Sequence, residues 1–111
     1  MATRTEIAEY ILNQSGDAGD TAVKKMFGEF ALYCGGKVVA FICDDQLFIK
    51  PTPQGRDYLG EIEEAPPYPG AKNYYLIPED NWDDRVWLSG LVRITADALP
   101  QPKPKKPRKR G

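Results

Sequence analysis

Four β-rich runs divided by three turn signals fill Thr21 to Lys50, and this stretch constrains the fold more than any other part of the chain. Branched and aromatic residues favour pleated backbone, while glycine or paired aspartates between such runs mark reversals. Thr21 to Phe27 reads as a strand leading to Gly28, a bulge or bend. Glu29 to Cys34 and Lys37 to Cys43 read as a hairpin across the two-residue turn Gly35-Gly36. Asp44-Asp45 makes the next turn, and Gln46 to Lys50 pairs back on the middle strand. Connections this short join antiparallel neighbours, so the sheet is antiparallel.

A two-residue turn also sets a register. It pairs Cys34 with Lys37, Tyr33 with Val38, Ala31 with Ala40 and Phe30 with Phe41. Phe30, Leu32, Val39, Phe41 and Phe48 then share one face, and Ala31, Tyr33, Val38, Ala40, Ile42, Leu47 and Ile49 the other. Both faces are apolar, which a sheet with one wet face does not need. Helices cover one; a short helix, a loop or another subunit must cover the second, and a homodimer is expected. With Phe30 and Phe41 opposed on a buried face, Phe41→Ala is expected to cost about 3–5 kcal/mol. The same register holds Cys34 and Cys43 roughly 20 Å apart along the strands. A disulfide spans ~7 Å between Cα atoms, so two reduced thiols in a cytoplasmic protein are expected.

Helices flank the meander. Thr3-Arg4-Thr5-Glu6 has capping-box form, and Ile7, Ala8, Ile11 and Leu12 follow at helical spacing, giving a helix from Arg4 to Gln14. Pro53 opens a short helix over Gln54 to Leu59 that ends at Gly60. Asn73 to Ile77 is a strand closed by Pro78. Asn81 reads as the N-cap of a last helix, with Asp83 and Asp84 in its first turn and Trp87, Leu88, Leu91, Ile94 and Ala98 on one stripe.

The formal net charge of −1 hides an asymmetry. Residues 1–99 hold nine Lys and Arg against all sixteen Asp and Glu, a balance of −7. Residues 100–111 hold Lys103, Lys105, Lys106, Arg108, Lys109 and Arg110, four prolines and no acid. A like-charged, proline-spaced segment buries too little apolar surface to offset its ordering entropy. The chain therefore divides into a domain, 1–99, and a disordered basic tail, 100–111. The tail suits phosphate backbones or an acidic protein surface. The acidic body repels DNA and draws the tail back at low salt. The longest apolar run, Val38 to Cys43, falls far short of the ~18 residues of a membrane span, and no apolar leader follows Met1.

The run Lys25-Met26-Phe27-Gly28-Glu29-Phe30-Ala31-Leu32-Tyr33, then Gly36-Lys37 and Leu47-Phe48-Ile49-Lys50, resembles the signature of the TfoX N-terminal-domain family, the competence-regulator-like proteins also called Sxy. Pro67-Tyr68-Pro69, Tyr74-Tyr75 and Pro78-Glu79 extend the likeness over residues 3–98. Ala31 stands where the family often has a second glycine, and the basic tail stands where full-length regulators carry a C-terminal domain. The resemblance implies an α+β, two-layer, secretion-chaperone-like body of order α-β(3)-α-β(2)-α, with Pro66 to Gly70 supplying a short extra strand. It also implies likeness to transcriptional co-regulators of DNA-uptake genes, which act with a cyclic-AMP-responsive activator.

The chemistry-bearing residues favour contact over catalysis. The chain has no histidine, which removes the commonest general base and metal ligand. Cys34 and Cys43 lack the partner that usually activates a thiol. Asp44-Asp45 and Glu61-Glu63-Glu64 lack calcium-loop spacing, and no metal or cofactor is expected. Met26, Phe27, Leu47 and Gly28 read as packing and backbone geometry, and Lys25 and Lys50 as solvated strand ends or an anion hold. Tyr33, Tyr74 and Tyr75 have no interleaved cations, so they read as packing rather than a stacking platform. The expected function is a non-enzymatic regulatory or adaptor module that contacts a protein partner, such as a transcription factor, through the sheet and its strand edges. The alternative is weak, sequence-independent nucleic-acid binding through the tail.

Overall fold

The structure is a computed structural model that describes residues 3–26 and 28–100. Helix α1 (Thr5–Gln14) leads through a 3-10 turn, Gly16–Ala18, into the meander β1 (Thr21–Met26), β2 (Glu29–Cys34), β3 (Lys37–Cys43) and β4 (Gln46–Ile49). Helix α2 (Pro53–Leu59), strands β5 (Glu64–Ala65) and β6 (Tyr74–Ile77), a 3-10 turn over Glu79–Asp83 and helix α3 (Arg85–Ala98) follow. The sheet runs β1-β2-β3-β4-β6-β5 with every pairing antiparallel. This is the expected α+β class with helices layered on a sheet. The first run holds four strands rather than three, because β1 pairs along its whole length with β2. The short strand after α2 is Glu64–Ala65 rather than Pro66 to Gly70, where three prolines leave few backbone donors for a ladder.

The turns form as their residues dictate. Gly28, Gly35 and Gly36 take φ of 82°, 60° and 81°, a region closed to most side chains. Asp44 and Asp45 also sit at positive φ, 53° and 60°, as a type I′ hairpin requires. Thr52 caps α2 by accepting from Gly55 N at 2.9 Å, Pro53 takes the first helical position, and Gly60 closes the helix.

The β2–β3 register departs from a uniform hairpin. Tyr33 faces Val38 and Cys34 faces Lys37, but beyond that Leu32 faces Ala40, Ala31 faces Phe41 and Phe30 faces Ile42. A bulge at Val39 absorbs the extra residue. Two consecutive side chains, Val39 and Ala40, enter the core together, and every later β3 side chain changes face relative to β2. Phe30 and Phe41 are therefore not neighbours. Phe30, Leu32, Ala40, Ile42, Leu47, Ile49, Tyr75 and Ile77 join the core with Ala8 and Ile11 of α1 and Leu88, Leu91 and Val92 of α3.

Three local expectations are corrected. Thr3 does not cap α1: the N-cap is Arg4, with no side-chain cap bond, and Thr3 is buried against the β3–β4 turn instead. Asp84, not Asn81, caps α3 by accepting from Trp87 N at 3.0 Å, because residues 79–83 form their own 3-10 turn. The buried stripe of α3 is Leu88, Leu91, Val92, Thr95 and Ala96, so Trp87 packs sideways on Tyr58 of α2 with ring centroids 5.8 Å apart. Tyr58 also donates to the Trp87 carbonyl at 2.8 Å and passes so close to α3 that a Cβ on Gly90 would stand 2.5 Å from its hydroxyl.

One cap has no trace in sequence patterning. Lys37, at the start of β3, donates from Nζ to the carbonyls of Ala96 (2.6 Å) and Leu99 (3.0 Å), placing a cation on the C-terminal end of α3. Lys37→Met should lower stability by about 1–2 kcal/mol, the range for charge-assisted bonds at a partly buried helix end. Urea unfolding checks this; an unchanged midpoint would mean that the ammonium contributes nothing.

Candidate protein-contact surface

The bulge turns Phe41 of β3 and Phe48 of β4 to the face of the sheet opposite the helices. Phe41 and Phe48 are paired across β3 and β4, with Leu76 next in the row on β6. Tyr74 stacks on Phe41 with centroids 5.6 Å apart and planes inclined by 29°. Tyr68 meets Phe41 edge-on at 5.9 Å and is half exposed. Tyr68 belongs to a strap, Pro66 to Gly70, that crosses the face after β5 and turns at Gly70. Pro67 beneath it is buried, and Phe48 is only 4% exposed. A loop thus covers part of the second apolar face. Phe41, Tyr74 and Leu76 remain half-buried beside it.

Two clefts flank Gln46 at the Asp44-Asp45 end of the sheet. One, about 390 Å³, lies between the strap and Phe48, with Glu29 and Asp44 at its mouth. The other, about 210 Å³, has Leu76, Pro78 and Trp82 among its walls and the carboxylates of Asp45, Glu63 and Glu79 around it. Thr3 and Arg4 brace this end. The Thr3 hydroxyl lies within 2.5 Å of Glu29 Oε1 and 3.1 Å of the Ile42 carbonyl, and accepts from Asp45 N at 3.2 Å. Asp44 N donates to Glu29 Oε1 at 3.1 Å, and Arg4 pairs with Asp45 at 3.2 Å. The opposite end of the face is cationic: Lys24 lies 5.0 Å over the Tyr33 ring, and Lys50 follows β4.

The signature residues separate into scaffold and surface. Leu47 is fully buried in the core, and Tyr75 is buried with its hydroxyl 3.4 Å from the Thr52 carbonyl. Gly28 and Gly36 hold turns, and the Pro78 carbonyl accepts from Asn81 N. Lys25 is exposed on β1, and Met26 is half-buried opposite Glu29. Tyr33 and Tyr74 lie on the open face and Tyr75 on the core face, so the three tyrosines form no common platform. Phe27 lies outside the described residues, as do Lys103, Lys105, Lys106, Arg108, Lys109 and Arg110. Patterning by uniform alternation missed Phe41, Tyr68 and Leu76 as surface residues; the available signal was the aromatic Pro-Tyr-Pro strap itself.

Both cysteines are buried free thiols. Burial, with Glu29 and Asp44 adding repulsion, pushes the Cys43 thiol up from 9.0 to about 11. Burial also raises Cys34. The unfolded chain therefore ionises Cys43 before the folded one does, so folding stability should hold below pH 9 and decline as pH rises toward 11. Denaturant unfolding at a series of pH values should show that decline flattened in Cys43→Ala; an identical slope in both proteins would refute the assignment. Tyr74 is likewise raised by burial and by Tyr68.

Among the described residues, no group of three or more His, Cys, Asp and Glu side chains is placed to hold a metal ion. No described helix is long and apolar enough to cross a membrane. The family model described as TfoX N-terminal domain matches residues 13–99. An uncharacterized 12.7 kDa protein in the trpE 5′ region of Spirochaeta aurantia is similar at 42% identity over 106 residues, covering 96% of this chain and 91% of that protein.

Proposed function

The chain belongs to the TfoX N-terminal domain family, and on that premise we propose a non-enzymatic regulatory or adaptor module that binds a protein partner through its open sheet face. The observation that carries this reading is the half-covered aromatic surface of Phe41, Tyr68 and Tyr74, rigidly backed by a six-stranded sheet and rimmed by carboxylates. Aromatic anchors with a polar rim are the composition of protein-contact surfaces. The strand edges serve this role less well. On β1 the edge carries exposed Lys24 and Lys25, which oppose strand addition, and β5 offers two residues.

A transcription factor is the partner class that the family suggests, and a second copy of the chain is the simplest occupant of the face. Light scattering over a wide concentration range reads the homodimer directly. A dimer that Tyr74→Ala weakens supports the face as the interface; a monomer throughout excludes self-association. The cytoplasm is the compartment this reading proposes.

A second reading rests on the six cations between Lys103 and Arg110. If all of them neutralise phosphates, log K for DNA falls with log salt at a slope of up to about −5, without sequence preference. Replacing the six with glutamine should abolish binding. Tight binding retained by that variant would place the nucleic-acid contact elsewhere.

A further inference from the structure

We propose that the open face has an internal occupant: the chain's own proline-rich segment, residues 101–111, lies along it and caps the surface in the absence of a partner. The proposal rests on the open-face reading above, and its physical basis is a match of reach, charge and surface chemistry.

Reach comes first. The described chain ends at Pro100, which lines a shallow depression with Gly36, Val38 and Lys50, at the β2–β3 turn end of the sheet. The Asp44-Asp45 turn is at the other end of β3, six residues from Val38, or about 20 Å along the strand. Eleven residues in the polyproline conformation favoured by Pro102, Pro104 and Pro107 extend about 34 Å. The segment can therefore run the length of β3 and reach both clefts that flank Gln46.

Charge then sets its direction. Along the open face the sign changes from Lys50 beside Pro100, with Lys24 over the Tyr33 ring that faces Val38, to Glu29, Asp44, Glu63 and Glu79 at the far end. The segment carries the complementary gradient: Gln101 and Pro102 come first, and Lys106, Arg108, Lys109 and Arg110 lie farthest from Pro100. An extended path places the uncharged start past the lysines and the densest cations at the carboxylates. Between them lie Phe41, Tyr74 and Tyr68, the aromatic kind of surface on which polyproline ligands dock. The helix face also carries acids, and Pro100 sits at the sheet end among Lys37 and Leu99 as well as Val38 and Lys50; it is the aromatic row of Phe41, Tyr74 and Tyr68 that favours the open side.

A spin label tests this in the full chain. Cys34 and Cys43 are buried, so a label on Gly111→Cys modifies the new thiol alone in the folded protein. At low salt, the amides of Gln46, Glu63 and Tyr68 should lose most of their signal, while those at the C-terminal end of α3, which meets Lys37 at the opposite end of the sheet, should keep theirs. The Debye length falls from about 30 Å at ~0.01 M salt to about 3 Å at 1 M, so high salt should restore the lost signals. Glu63→Gln with Glu79→Gln should restore them in part at low salt. Full signals on the open face at low salt, stronger loss on α1 than at Tyr68, or equal loss at the C-terminal end of α3, overturn the proposal. Labelled, isotopically silent protein mixed with unlabelled ¹⁵N protein separates the sources: broadening in that mixture means contact between copies and overturns the internal arrangement. None of these readings involves a partner, so their failure leaves the protein-contact function standing, and absence of a partner leaves the cap standing.

Discussion

Trp82→Ala should lower folding stability by about 3–5 kcal/mol, among the largest losses for a single side chain in this protein. The indole is 3% exposed, and its Nε1 donates to the Ile77 carbonyl at 3.2 Å. The Trp82 carbonyl accepts from Gln14 Nε2 at 2.9 Å, so one residue ties the 3-10 turn to the end of β6 and to α1. Truncation leaves a ring-sized void where these elements converge, and a small domain has only about 5–15 kcal/mol in total. Equilibrium denaturation should find the alanine variant near the edge of folding. A loss below about 1 kcal/mol would mean that the turn does not pack as described.

Phe48→Ala and Phe41→Ala should differ, although the two rings are cross-strand partners. Phe48 lies beneath the strap and is 4% exposed, so its removal should cost about 3–5 kcal/mol. Phe41 is half-buried, and its removal should cost only about 1–2 kcal/mol, since much of the ring stays in water in the folded state. The uniform register implied the larger loss for Phe41. Equal losses in the two variants would show that the strap does not discriminate between them.

That contrast marks how far the fold could be read from residues alone. The strands, their turns and the short Pro53 helix follow from local chemistry: positive φ demanded at Gly35-Gly36 and Asp44-Asp45, a fixed φ at Pro53, and a hydroxyl cap at Thr52. The pairing of Phe41 with Phe48, and of Ile42 with Leu47, also follows from the short β3–β4 turn. Which of those rows faces the helices does not. Val39 and Ala40 both suit a core, and only packing against α3 selects the bulge that admits them together. One extra residue then exchanges the faces of β3 and β4 relative to β2, carrying the aromatics outward.

The remaining corrections have the same origin. Thr3 resembles a helix cap locally, but its hydroxyl finds better use on Glu29 and the Asp44-Asp45 turn, about forty residues away. Asn81 and Asp84 are comparable caps by type, and the 3-10 turn through Trp82 decides between them. Lys37 on the end of α3 joins positions about sixty residues apart. Of the site, the Pro-Tyr-Pro strap and the Tyr74 strand were visible as motifs; the surface they form with Phe41 depends on the bulge and on long-range closure of the sheet.

The central claim, a protein-contact surface on the open face, is tested most directly by a photoreactive amino acid placed at Tyr68 or Tyr74 in living cells, with exposed Val86 on the helix layer as the control position. A discrete protein adduct is expected from positions 68 and 74, lost in Phe41→Ala, and none from position 86. Adducts from position 86 with none from positions 68 and 74 would contradict it and move the working surface to the helices.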